Sequence, residues 1–108
     1  MKKLLLKIKH KKLLEEIESI HIRELVLYKY KFDVGNNKDR DFEYLRKKLK
    51  RNFILGEKIN EYKIRYGNLI IFHSGNTITN IVNEKRKYRE FNIDHNLKKS
   101  LNILLDIE

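Results

Sequence analysis

Between Asn60 and Glu84 the chain reads Asn60-Glu-Tyr-Lys-Ile-Arg-Tyr-Gly-Asn-Leu-Ile-Ile-Phe-His-Ser-Gly-Asn-Thr-Ile-Thr-Asn-Ile-Val-Asn-Glu84. Two Gly-Asn pairs, Gly67-Asn68 and Gly75-Asn76, cut it into short runs. Each run is rich in β-branched and aromatic residues, which fit a pleated, half-buried surface. Each cut supplies the residue types that a tight turn demands. The spacing predicts a three-stranded antiparallel meander.

The turns also predict a register. A two-residue turn at Gly67-Asn68 sets Tyr66 opposite Leu69, Ile64 opposite Ile71 and Tyr62 opposite His73. The same turn at Gly75-Asn76 sets Ser74 opposite Thr77, Phe72 opposite Thr79 and Ile70 opposite Ile81. Opposed residues share a face, and faces alternate along a strand. One face then carries Tyr62, Ile64, Tyr66, Leu69, Ile71, His73, Ile78, Asn80 and Val82, and is expected to pack on helices. The other carries Lys63, Arg65, Ile70, Phe72, Ser74, Thr77, Thr79 and Ile81. A slip of one residue in either turn exchanges these sets on the affected strand.

The flanks read mostly as helix. Leu6, Leu13, Ile17 and Ile20 recur at near-helical spacing from residue 3 to about 22, within a basic N-terminal segment 1–24. Its first half is lysine-rich and its second half acidic, an order that opposes the helix dipole. From Leu25 to Val34 the alternation Tyr28-Lys-Tyr-Lys-Phe32 favours a fourth strand, although Ile22, Leu25 and Lys29 also suit a continuing helix. Phe42, Leu45, Leu49 and Phe53 predict a helix over 39–53, capped by Asp39 or Asp41 and followed by Gly56. Ile93, Leu97, Leu101, Leu104 and Leu105 predict a last helix from about 94 to 107. The expected fold is α+β: a small antiparallel meander of three to four strands packed against two or three helices, in one domain of 108 residues.

Composition narrows the functions. The net charge is +10, and a polyanion, most simply nucleic acid, is the natural partner. A chain rich in Lys, Asn and Ile also follows from AT-rich coding, which raises lysine content whatever the function. Cysteine is absent, so there is no disulfide framework, thiolate zinc site or cysteine nucleophile. His10, His21, His73 and His95 lack metal-ligand spacing, and no Gly-rich loop leads into Lys-Ser/Thr. No cofactor or metal is expected. Lys7 and Lys9 interrupt the apolar run at the N-terminus, and no stretch approaches the roughly 20 apolar residues of a membrane span. A cytoplasmic protein with no membrane partner is expected.

Cations, tyrosines and histidines remain, a set able to cleave RNA without metal. Arg65, Lys85, Arg86 and Tyr88 are the catalytic candidates. His73, on the apolar face, reads more readily as a packed, hydrogen-bonded residue. Lys47, Lys50, Arg51, Lys63, Arg65, Lys87 and Arg89 are the nucleic-acid-binding candidates.

The run Tyr62-Lys-Ile-Arg-Tyr-Gly-Asn-Leu-Ile-Ile-Phe72 resembles the central hairpin of the RelE/ParE toxin superfamily. That family commonly shows Tyr-Arg-hydrophobic-Arg-x-Gly-Asp-Tyr-Arg at this place. A helix before the hairpin, a third strand, then a basic stretch with a tyrosine and a terminal helix follow the same order. The resemblance implies a small antiparallel sheet with helices on one face and metal-independent cleavage of ribosome-bound mRNA. It implies that Lys63 and Arg65 are basic strand positions and that Lys85, Arg86 and Tyr88 form the basic end. Ile70 stands where the family has an arginine, and His73 where it has a tyrosine. Two functions follow as expectations. One is an RNA-binding protein of RelE-like endoribonuclease type, partnered by an antitoxin. The other is a non-catalytic phage or mobile-element inhibitor, anti-CRISPR-like, that binds RNA or a ribonucleoprotein effector. The leucine-rich last helix also suits a homodimer, and no helix-turn-helix spacing supports a DNA-binding regulator.

Overall fold

The amphipathic N-terminus folds as two short helices, α1 (Lys2–Lys9) and α2 (Lys11–Glu18), rather than one. The computed structural model describes residues 2–84 and 92–108. His10 breaks the helix at φ −110°, yet its amide still bonds Leu6 O and its carbonyl still accepts from Leu14 N, each at 2.9 Å. After Ser19 the chain extends into β1 (His21–Ile22), which pairs in parallel with the last strand. The helix expected to run to about residue 22 therefore ends early, because His21 N donates to Asn76 O at 2.9 Å instead of to its own helix.

The expected fourth strand at 25–34 is a helix, α3 (Glu24–Asp33). A strand would have placed Tyr28, Tyr30 and Phe32 on one face. The helix instead buries Val26, Leu27 and Tyr30 and leaves Leu25, Tyr28 and Phe32 exposed. The alternation was misleading because both faces of α3 are apolar, so neither period stands out. Next comes α4 (Phe42–Leu55), whose first turn is capped by Asp41 accepting from Tyr44 N at 2.8 Å.

Four strands follow: β2 (Glu57–Asn60), β3 (Lys63–Tyr66), β4 (Leu69–Ser74) and β5 (Thr77–Asn83). The final helix, α5 (His95–Leu104), starts with Asp94 accepting from Leu97 N at 3.0 Å. The sheet order is β1-β5-β4-β3-β2, a mixed five-stranded sheet in an α+β fold. It exceeds the expected meander by one short strand at each edge, β1 and β2.

The first hairpin holds the derived register, with Tyr66 opposite Leu69 and Ile64 opposite Ile71. The second holds it at Ser74 opposite Thr77 and His73 opposite Ile78. A bulge at Thr79 then sets Phe72 opposite Asn80 instead of Thr79. Beyond it, Ile71 rather than Ile70 faces Ile81. Ile78 and Ile81 are three residues apart and would otherwise point to opposite faces. The extra residue turns both into the core, where each is fully buried, and moves Asn80 and Val82 to the other face.

Two apolar cores result. One joins Ile20, Val26, Leu27, Tyr30, Leu45, Leu49, Leu69, Ile71, Ile78 and Ile81 between α3, α4 and the back of the sheet. The other joins Ile17, Leu55, Leu101 and Leu104 among the N-terminal helices, α4 and α5. Among the described residues, no helix is long and apolar enough to cross a membrane.

Candidate nucleic-acid interface

The helices pack on the back of the sheet, so its front is lined by strands. A shallow groove of about 210 Å³ runs there between Ile59, Lys63, Arg65, Ile70, Phe72, Val82 and Glu84. The register explains its make-up. Lys63 pairs with Phe72 and Arg65 with Ile70 on neighbouring strands, so each cation stands beside an apolar side chain. Lys63 Nζ lies 5.3 Å from the centre of the Phe72 ring, and Ile70 forms a buried floor. Arg65 Nη2 lies 3.5 Å from Glu84 Oε2, with both side chains partly buried. Glu84 N donates to Asn68 O at 2.8 Å, which ties the end of β5 to the first turn. From that anchored point the chain continues into Lys85-Arg-Lys-Tyr-Arg89. Lys85, Arg86, Lys87, Tyr88 and Arg89 lie outside the described residues.

His73 is a packed histidine. Its ring lies 4.9 Å from that of Phe53, and Nδ1 stands 3.0 Å from Gly75 O. A carbonyl can only accept, so Nδ1 donates this bond.

The basic residues of α4 separate by depth. Arg51, one of the nucleic-acid-binding candidates, is only 6% exposed and so is withdrawn from the surface. Its Nε and Nη2 donate to Asn52 Oδ1 at 3.1 and 2.8 Å, and Nη1 donates to Asn102 Oδ1 at 2.8 Å. Asn52 Nδ2 in turn donates to the hydroxyl of Tyr30 at 3.1 Å. Burial pushes the Tyr30 phenol up to about 12, against a smaller opposing pull from Arg51. Lys50 is half-buried, and its ammonium is lowered first by burial and then by Arg46, with Glu43 and Glu18 opposing. Lys47 is also half-buried, on the side of the helix that senses Asp106.

Of the sequence candidates, the fold brings Lys63 and Arg65 together and leaves Lys47, Lys50 and Arg51 off the groove. Sequence reasoning missed the buried network around Asn52. Its signal was present: Leu45, Leu49 and Asn52 occupy i, i+4 and i+7, so an amide stands where the stripe calls for an apolar residue. No protein-family model, curated protein or solved structure matches the chain.

Proposed function

We propose that the protein binds RNA in the cytoplasm along the front of its sheet. The observation that carries this is the groove itself: Lys63 and Arg65 stand in register beside Phe72 and a buried Ile70. It ends at Glu84, where the Lys85–Arg89 stretch begins. A cationic track with an aromatic side chain suits a single strand, whose phosphates take the charges and whose bases stack. In the enzymatic form of this reading the protein is a metal-independent RelE-like endoribonuclease, with Arg65 and Lys85 or Arg86 on the phosphate and Tyr88 at the leaving or attacking oxygen.

Fluorescence anisotropy with a labelled single-stranded RNA tests binding. Affinity is expected to fall by orders of magnitude between roughly 50 and 200 mM salt; a flat response rejects the groove. RNA cleavage in the presence of chelator, lost in Arg86→Ala and Tyr88→Phe, tests the enzyme. Intact RNA throughout rejects catalysis.

One observation favours the second reading, a non-catalytic inhibitor that binds RNA or a ribonucleoprotein effector. Arg65 is engaged by Glu84, and His73 is packed on Phe53, so both described groups are held in structural contacts. A pull-down that yields one protein complex after nuclease treatment supports that reading over the toxin.

A further inference from the structure

A second concavity opens at the same end of the sheet but on the helix side. It is a cleft of about 300 Å³ between the α3–α4 loop, α4, the Gly67-Asn68 turn and the end of β5. Lys48 forms one wall, and Asn36, Asn37, Asn52, Asn68 and Asn83 line the rest with Tyr30 and Tyr66. No carboxylate lines the cleft among the described residues.

The charged groups that act on Lys48 are cations. Lys48 Nζ donates to Asn37 Oδ1 at 2.9 Å, which uses one of its three protons. Asn37 is itself buried and held by its Nδ2, which donates to Tyr30 O at 2.9 Å. Behind Lys48 lies the buried Arg51, whose donors described above meet neutral amide oxygens. Lys98 Nζ and the Arg51 guanidinium both approach the ring of Tyr66, at 5.7 and 5.9 Å. Burial lowers the Lys48 ammonium, and Arg51, Arg40 and Lys98 lower it further. Partly desolvated cations with no acid lining the cleft among the described residues are costly to the fold, and a bound anion offsets that cost. Amide donors and an ammonium in a concave wall are the groups that hold phosphoryl oxygens.

We propose that this cleft is a phosphoryl-binding site for a free nucleotide or for a phosphate of RNA, with Lys48 as its charged ligand and Asn36, Asn68 and Asn83 as neutral donors. It is separate from the front groove and stands independently of the RNA reading. The two concavities are neighbours: Tyr66 and Asn83 line the cleft, while Arg65 and Glu84 line the groove.

The test is a set of amide correlation spectra of the full chain titrated with inorganic phosphate, adenosine monophosphate, and a short RNA with or without a terminal phosphate. With phosphate alone, the signals of Asn37, Lys48, Gly67 and Asn68 are expected to shift together and saturate. Lys48→Met is expected to weaken this at least about tenfold. Lys12→Met, which does not line the cleft, leaves it unchanged. Tighter binding of adenosine monophosphate than of phosphate assigns the site to nucleotides; preference for the phosphate-ended RNA assigns it to RNA. Silent cleft signals in the wild-type protein at about 10 mM of phosphate and of each other probe overturn the proposal, whether or not Lys48→Met folds. An unchanged affinity in folded Lys48→Met overturns it equally. The groove is read separately, by RNA anisotropy of Lys63→Met, so either site can fail alone.

Discussion

Arg65 Nη2 stands 3.5 Å from Glu84 Oε2, linking the middle of β3 to the last described residue before the basic Lys85–Arg89 stretch. The pair holds an arginine at the groove in a fixed position while partly neutralising it.

Glu84→Gln keeps the shape and removes the negative charge. RNA affinity is expected to rise about threefold to tenfold, because Arg65 then offers its full charge to phosphate. Arg65→Met is expected to lower affinity by about tenfold or more and to destabilise the fold by roughly 1–2 kcal/mol, since it removes the cation 3.5 Å from a partly buried carboxylate. Anisotropy at fixed salt and urea unfolding measure the two effects. Weaker binding by Glu84→Gln contradicts the groove.

The bulge in β5 assigns Ile81 to the core and Val82 to the front. Ile81→Ala is expected to cost about 2–4 kcal/mol, and Val82→Ala under about 1 kcal/mol. An unbulged register predicts the reverse order, so urea midpoints of the two variants decide between them.

Tyr30 titrates abnormally. Its phenol is raised from 10.0 to about 12, so the folded state holds that proton more tightly than the unfolded chain does. The associated stability is fully present below about pH 10 and is lost as pH climbs through about 12. It amounts to at most roughly 2–3 kcal/mol. Tyr30→Phe costs about 1 kcal/mol at neutral pH, because Asn52 Nδ2 loses its acceptor. The wild-type advantage over Tyr30→Phe should shrink between pH 10 and 12, read by thermal melts of both proteins. A constant difference over that interval refutes the assignment.

Gly56 lets the end of α4 pass close to β3. A Cβ there would clash with Ile64 Cγ2 and sit 2.8 Å from Arg65 O. Gly56→Ala is expected to destabilise the protein by about 1–3 kcal/mol and, by displacing Arg65, to weaken RNA binding as well. Unchanged melting and affinity would show that β3 is free to move.

Some of this was legible before any coordinates. The Gly-Asn cuts gave the hairpin at Gly67-Asn68 and its register, since turn chemistry and strand pairing there act between near neighbours. The helix start near Asp39 or Asp41 was marked for the same reason, and Asp41 is the residue that caps it. Lys63 and Arg65 were placed on the front of the sheet by alternation alone. The misreading of 25–34 involves partners distant in sequence. Residues 25–34 alternate like a strand but fold as α3, because Tyr30 reaches Asn52 and the back of the sheet. The slip at Thr79 was decided by the need to bury both Ile78 and Ile81.

The sequence by itself determined a basic α+β chain built on a β-hairpin, because composition and turn residues act locally. Only the tertiary structure decided which cations face solvent. Arg51 and Lys48 lie in one basic run of α4, yet one is buried against asparagine oxygens and the other walls a cleft. That division depends on which side of the helix meets Tyr30, Asn37 and Asn102, and these come from three separate parts of the chain.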